Sequence, residues 1–229
     1  MSRPLEHTAK TYEQELAGLR QSLLMMAGRV EDMISRAGRA LVERDADLAR
    51  KTIELDHVVN RAEVDIDEMC LLILAKRQPL ASDLRFVTLV MKMVTDLERI
   101  ADLAVNICER AIDLSAGAPI VVHADIPRMT EIVESMVKDA IDAFVTNSSA
   151  KAWDVIRRDD EVDELYHRVF EDLLENMRAD PSVMHQMIHA QSVAKWLERM
   201  ADHSTNLAEL VIFMIDGRDV RHPNKRAAG

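Results

Sequence analysis

The sequence predicts an all-α fold made of two tandem, pseudo-symmetric antiparallel three-helix bundles. Three observations carry this reading. The first is punctuation. The 229 residues include only 6 Gly and 6 Pro, too few turn formers for a β-sandwich or a glycine-rich nucleotide fold and well suited to long helices. The second is the core palette. Hydrophobic residues make up 48% of the chain, with 14 Met against 4 Phe, 2 Tyr and 2 Trp, so the interior has to be aliphatic and methionine-rich, as in helical bundles. The third is an internal repeat. Val30, Glu31, Met33, Ala37, Val42, Ile53 and Asp56 recur 103 residues later as Val133, Glu134, Met136, Ala140, Val145, Ile156 and Asp159. The block Leu97-Glu98-Arg99-Ile100-Ala101-Asp102 recurs 100 residues on as Leu197-Glu198-Arg199-Met200-Ala201-Asp202. Beyond it, Asn106, Glu109, Ile112 and Gly117 are matched by Asn206, Glu209, Ile212 and Gly217. Two blocks in the same order mark a duplication.

Each copy reads as three helices. In the first, Leu16, Leu19, Leu23, Met26, Val30, Met33, Ile34, Ala37 and Leu41 recur at three- and four-residue steps, the signature of one apolar helix face. This helix starts early, near Glu6, and overhangs its counterpart in the repeat. Asp45 or Asp47 caps a second helix carrying Ile53, Val59, Ala62, Ile66, Cys70, Ile73 and Leu74. The turn Arg77-Gln78-Pro79-Leu80-Ala81-Ser82-Asp83 leads into a third helix from about Leu84 to Leu114, with Ser82 or Asp83 as its cap. The second copy repeats the plan, with breaks near Asn147-Ser148-Ser149 and Asp180-Pro181-Ser182. The division is a first bundle over 1–116, a linker over 117–126, a second bundle over 127–217 and a polar, flexible tail over 218–229.

Charge narrows the function. Lys and Arg total 29 and Asp and Glu 40, a formal net charge of −11. A surface of that sign does not neutralise phosphates, so no nucleic-acid partner is expected. Two cysteines, Cys70 and Cys108, cannot make a disulfide framework or a thiolate zinc site, and both fall in apolar helical pattern. The N-terminus has no long apolar run and the chain no 18-residue uncharged stretch, so a soluble, cytoplasmic protein is expected. There is no phosphate-binding loop, no nucleophile elbow and no cysteine beside a base; an enzyme is not expected.

The sharpest local signal is a set of polar pairs four residues apart on equivalent helices. Glu98 with Asp102 and Glu198 with Asp202 each share a helix face, and Asn106 and Asn206 continue those stripes. The second helices add Asp56 with Asn60 and Asp159 with Asp163. Like charges at this spacing cost a helix about 0.2–0.5 kcal/mol per pair, and a bound cation reverses that sign. Carboxylate oxygens are hard ligands, suited to magnesium, manganese, calcium or iron. The alternative is a solvated acidic face neutralised by Arg99 or Arg199. These pairs lie on carboxylate faces without the Glu-x-x-His spacing of ferritin-like di-iron helices. His203 flanks the second pair, although its counterpart is Leu103. His185 and His189 have the spacing of a zinc-binding pair but no adjacent Glu and no evident third ligand, so a surface or interhelical role is the reading. Arg77, Asp83 and Arg85 flank the start of the third helix, where they suit either an anion or partner contact or a capped turn with one ion pair.

The stretch Arg77-Gln78-Pro79-Leu80-Ala81-Ser82-Asp83-Leu84-Arg85, together with the two Leu-Glu-Arg-x-Ala-Asp blocks and His203, resembles the PhoU family of bacterial phosphate-transport regulators. The resemblance covers nearly the whole chain. It implies two symmetric three-helix bundles, frequent dimerisation and restraint of phosphate uptake. The implied partners are the ATPase-bearing phosphate ABC transporter and its phosphate-sensing histidine kinase, with membrane association only through them. It also implies a divalent or iron cation (Mg, Mn, Fe or Zn) on Glu98 with Asp102, Glu198 with Asp202, Asp56 with Asn60 and Asp159 with Asp163. Asn60 departs from the acidic pattern, so the first-half site is expected to carry one negative charge fewer. A metal-dependent phosphohydrolase and a structural metal-binding dimer stand as alternatives.

Overall fold

The computed structural model describes residues 3–116 and 123–220, and within them every regular element is a helix. α1 (Arg3–Glu43), α2 (Ala46–Arg77) and α3 (Ala81–Ala116) form the first half; α4 (Asp125–Thr146), α5 (Ser149–Ala179) and α6 (Met184–Asp216) form the second. The breaks are local chemistry. Asp45, in extended geometry, accepts hydrogen bonds from the Asp47 and Leu48 amides at 3.0 and 2.9 Å and so caps α2. Asn147 closes α4 in the left-handed region at φ 48°, and the next residue, Ser148, caps α5 through its Oγ and the Lys151 amide. Asp180 accepts from the Ser182 amide to start a 3-10 turn, Pro181–Val183, that leads into α6. Gly217 ends α6 at φ +66°, where a residue with a Cβ would be strained.

Two expectations need correction. Neither Ser82 nor Asp83 caps α3. The helix begins at Ala81, ahead of both, and Asp83 instead accepts a hydrogen bond from the Tyr12 hydroxyl of α1 at 2.9 Å. Already inside the first turn, its carboxylate faces a neighbouring helix rather than its own free amides. α4 also starts at Asp125, ahead of the expected boundary at 127, because Pro127 fits a first turn where no amide donor is needed. Of the expected linker, 117–122 lie outside the described residues, as do 221–229 of the tail.

Burial ranks the helices. On α2 the buried residues Ala49, Thr52, Val59, Ile66, Cys70 and Ile73 make one stripe, and α5 repeats it with Ala152, Val155, Val162, Leu165, Val169 and Leu173. On α3 burial comes in adjacent pairs, Leu89-Val90, Met93-Val94, Ile100-Ala101, Leu103-Ala104 and Ile107-Cys108, and on α6 in Val193-Ala194, Met200-Ala201 and Leu207-Ala208. A helix buried on two sides has to be central. Accordingly α3 packs on α1, on α2 and across the pseudo-twofold on α6, while α1 packs on α4. The core is one cluster running through both halves. Polar contacts follow the same antiparallel crossing. Asp96 of α3 meets His203 of α6 at 2.9 Å, and Arg110 of α3 lies 5.8 Å from the Trp196 ring centre of α6. Cys70 and Cys108 are buried, and burial pushes both thiols up to about 12, so they are inert packing groups.

Candidate functional site

Two polar clusters lie on the outer hairpins, α2–α3 and α5–α6. In the first, Asp56 and Asn60 of α2 are half-buried beside Glu98 and the more exposed Asp102 of α3. Asn60 Nδ2 donates to Asp56 Oδ2 at 2.8 Å. That leaves Asp56 Oδ1 and Asn60 Oδ1 buried with no hydrogen-bond partner, and Asp67 Oδ1, farther along the same helix, is in the same condition. A buried acceptor without a donor costs free energy, and several together point to a missing positive charge. The Glu98 carboxyl is raised above its ordinary value by burial and then by the charges of Asp102, Glu63 and Asp56. Asp102 is raised by burial and by Asp56, and Glu63 by burial, Asp67 and Asp102. Among the described residues, no Lys, Arg or His stands within ion-pairing distance of Asp56, Glu63, Asp67, Glu98 or Asp102.

Glu63 and Asp67 escaped the sequence reading. Their signal was present, since Asp56, Asn60, Glu63 and Asp67 follow one another at steps of four, three and four, a single helix stripe. Within the matched motif Asn60 still supplies a neutral oxygen where the second half has Asp163, and Glu63 and Asp67 add acids along the same stripe.

The second cluster joins Asp159 and Asp163 of α5 with Glu198 and Asp202 of α6. Burial, followed by the charges of Asp163 and Asp202, pushes Asp159 up to about 6. Asp202 is raised by burial, then by Glu198 and Asp163. Here a cation is already present. Lys195 Nζ donates to both carboxylate oxygens of Glu198 at 2.7 Å and lies 5.2 Å from the Tyr166 ring centre. The corresponding residue of the first half is Thr95, which is exposed. The two sites are therefore electrostatically unequal: in the first Arg99 tempers Glu98 and Asp102 without an ion pair, whereas in the second Lys195 pairs directly with Glu198.

The remaining sequence candidates have other hydrogen-bond partners, although the charge of His203 also acts on Asp202. His203 and Asn206 turn to Asp96 of α3, at 2.9 and 3.4 Å, and tie the halves together. Asn106 is half-buried on α3. Arg77 is held by a two-pronged pair with Glu15 of α1, Nε and Nη2 each at 2.8 Å, which draws the Glu15 carboxyl below its usual range. Asp83 is taken by Tyr12, and Arg85 is exposed. The turn they flank is thus pinned to α1 by two contacts. Among the described residues no three His, Cys, Asp or Glu side chains are already gathered as a metal shell. No described helix is long and apolar enough to cross a membrane.

Comparison with known proteins places this geometry. Residues 23–111 and 126–211 each match the PhoU domain, one match per bundle. The chain is 38% identical over 217 residues to the phosphate-specific transport system accessory protein PhoU homolog of Pseudomonas putida, covering 94% of this chain and 85% of that one. The homologous protein of Caulobacter vibrioides is 36% identical, with 94% of each chain covered. The crystal structure of PhoU from Pseudomonas aeruginosa superposes with a TM-score of 0.88 at 37% identity, over 90% of this chain and all (100%) of that one. The phosphate transport system regulatory protein PhoU from Streptococcus pneumoniae superposes with a TM-score of 0.85 at 27% identity, covering 91% and 99%.

Proposed function

The chain belongs to the PhoU family, and from that premise we propose that it is a non-enzymatic regulatory adaptor of phosphate uptake, working in the cytoplasm. Its partners in this reading are the ATPase subunit of a phosphate ABC transporter and a phosphate-sensing histidine kinase, which it biases toward the non-activating state when phosphate is plentiful. A partner shifts such an equilibrium only by its differential affinity for the two states. A homodimer would present two copies of each hairpin to the membrane-bound machinery.

The observation that carries the mechanism is the acid cluster of α2–α3, which holds no ion pair among the described residues. Its donors fit a hard divalent cation such as magnesium, manganese or ferrous iron, because they are all oxygens and several are buried without a partner. Asp56, Asn60, Glu63, Glu98 and Asp102 would hold it in the first half, and Asp159, Asp163, Glu198 and Asp202 in the second. Bound there, the ion supplies positive charge that neutralises the hairpin surface. Arg77 and Asp83 tie the α2–α3 turn to α1, and Lys195 orders Glu198.

Two experiments test this reading. Capture from membranes of phosphate-replete cells is expected to recover the transporter ATPase and the sensor kinase; recovery of neither overturns the adaptor assignment. Elemental analysis of Glu198→Ala with Asp202→Ala, and separately of Glu98→Ala with Asp102→Ala, is expected to show reduced bound metal with unchanged helical circular dichroism. Metal content equal to that of the unaltered chain removes the carboxylate sites.

A further inference from the structure

The first turns of α6 carry a pair of imidazoles that the acidic clusters do not use. His185 and His189 lie four residues apart and so share a helix face. Their rings meet edge to face with centres 4.3 Å apart, and the two Nε2 atoms stand 3.3 Å from each other. That separation is long for an N–H···N hydrogen bond. It does match the separation of two imidazole nitrogens on one tetrahedral ion: at metal–nitrogen distances of about 2.0–2.1 Å they lie roughly 3.3–3.4 Å apart. His185 is exposed and His189 half-buried, so the shared edge opens to solvent and leaves room for water to complete a coordination shell.

The protonation state is set by a neighbour on another helix. Arg110 Nη1 of α3 lies 3.1 Å from His189 Nδ1. A guanidinium only donates, so Nδ1 accepts and the ring is neutral. Burial, then His185 and Arg110, lower the His189 value, while Asp113 opposes them. A neutral imidazole is the form that ligates. Its remaining proton sits on Nε2, the atom facing His185. To ligate through Nε2 the ring has to move that proton to Nδ1, which turns the Arg110 contact from attractive to repulsive. Arg110 keeps other partners, Asp113 at 2.8 Å and the Trp196 ring, so it can withdraw.

We propose that His185 and His189 form a two-imidazole site for a borderline transition-metal cation of the zinc and copper class, distinct from the oxygen-donor clusters and restrained by Arg110. Nitrogen donors prefer copper and zinc where carboxylates take magnesium or manganese. The chain thus carries two kinds of cation site, and this one clips the start of α6 to its second turn, beside the α5–α6 turn.

The test uses the untagged full-length chain, freed of metal with chelator and titrated with Cu²⁺ and with Zn²⁺. Electron paramagnetic resonance of the first copper equivalent is expected to show hyperfine coupling to two imidazole nitrogens. His185→Gln and His189→Gln each lower the affinity at least tenfold and reduce the coupling to one nitrogen. Glu98→Gln with Glu198→Gln lowers uptake by the acid clusters and leaves the two-nitrogen coupling of the first copper equivalent in place. Arg110→Gln tightens binding, since it removes a cation and the tautomer conflict together. Affinity unaltered by either histidine replacement, or lost instead with the glutamates, overturns the site; weaker binding in Arg110→Gln overturns the restraint assigned to Arg110.

Discussion

At the scale of single residues, the two hairpins differ most at one position. Lys195 donates to both oxygens of Glu198, and its equivalent Thr95 cannot. Removing the lysine leaves Glu198 free to ligate and adds a net negative charge to the second cluster. Lys195→Met is therefore expected to raise manganese affinity at the second site, and Thr95→Lys to lower it at the first, both read by isothermal titration of metal-free protein. No change in either variant means the clusters do not share a ligand with these positions. A second residue-scale device is Glu15 with Arg77. The native carboxyl lies below its ordinary value, chiefly because Arg77 donates to it. A group depressed in the folded state stabilises above its unfolded value, near 4.5, and loses that contribution as pH falls through its native value. Arg77→Ala is expected to lower Tm at pH 7, with the deficit shrinking as pH falls below 4.5. A Tm deficit independent of pH over that range assigns the loss to packing instead.

At the scale of elements, close approach of α1 and α4 depends on one glycine. A Cβ added at Gly38 would lie 2.5 Å from Thr130 Cγ2, whereas at Gly28, in the same helix, it would meet nothing within 4 Å. In a helix interior alanine beats glycine by about 0.8–1 kcal/mol, so Gly28→Ala is expected to stabilise by roughly 0.5–1 kcal/mol. Gly38→Ala is expected to destabilise by about 1–3 kcal/mol through overpacking. Thr130→Ser removes the clashing methyl but keeps a hydroxyl for the bond to the Ile126 carbonyl, so it rescues Gly38→Ala in a urea-unfolding cycle; absence of rescue places the strain elsewhere. The contrast also shows what the sequence can and cannot disclose. Helix existence, the Asp45 cap, the break at Asn147-Ser148-Ser149 and the duplication were legible because they are periodic or local. So were Glu98, Asp102, Asp159 and Glu198 as members of paired stripes. Gly38 is silent in sequence, since its neighbour comes from a helix nearly a hundred residues away. Contacts across the halves are silent for the same reason: His203 flanks Asp202, as its position suggests, but Asp96, which it and Asn206 meet, belongs to the other half. Lys195 was missed although only three residues from Glu198, because helix periodicity does not say whether a long side chain folds back on its neighbour.

At the scale of the whole molecule, the question is whether two bundles behave as two domains. The buried pairs on α3 and α6 say that they do not, because each central helix covers a face of the other. One continuous core implies one cooperative transition. The chain supplies its own probe, since both tryptophans, Trp153 and Trp196, belong to the second half. Leu97 and Leu197 are buried equivalents on α3 and α6, and truncating a buried leucine to alanine costs about 2–5 kcal/mol. Leu97→Ala lies wholly in the first half, yet with a shared core it shifts the tryptophan-fluorescence midpoint in urea as far as it shifts the helical circular dichroism midpoint. Leu197→Ala does the same. Independent bundles behave otherwise: fluorescence ignores Leu97→Ala, and the circular dichroism curve splits in two. Coincident midpoints also bear on regulation. In a single cooperative unit, a cation bound between α2 and α3 would stabilise α6 by linkage.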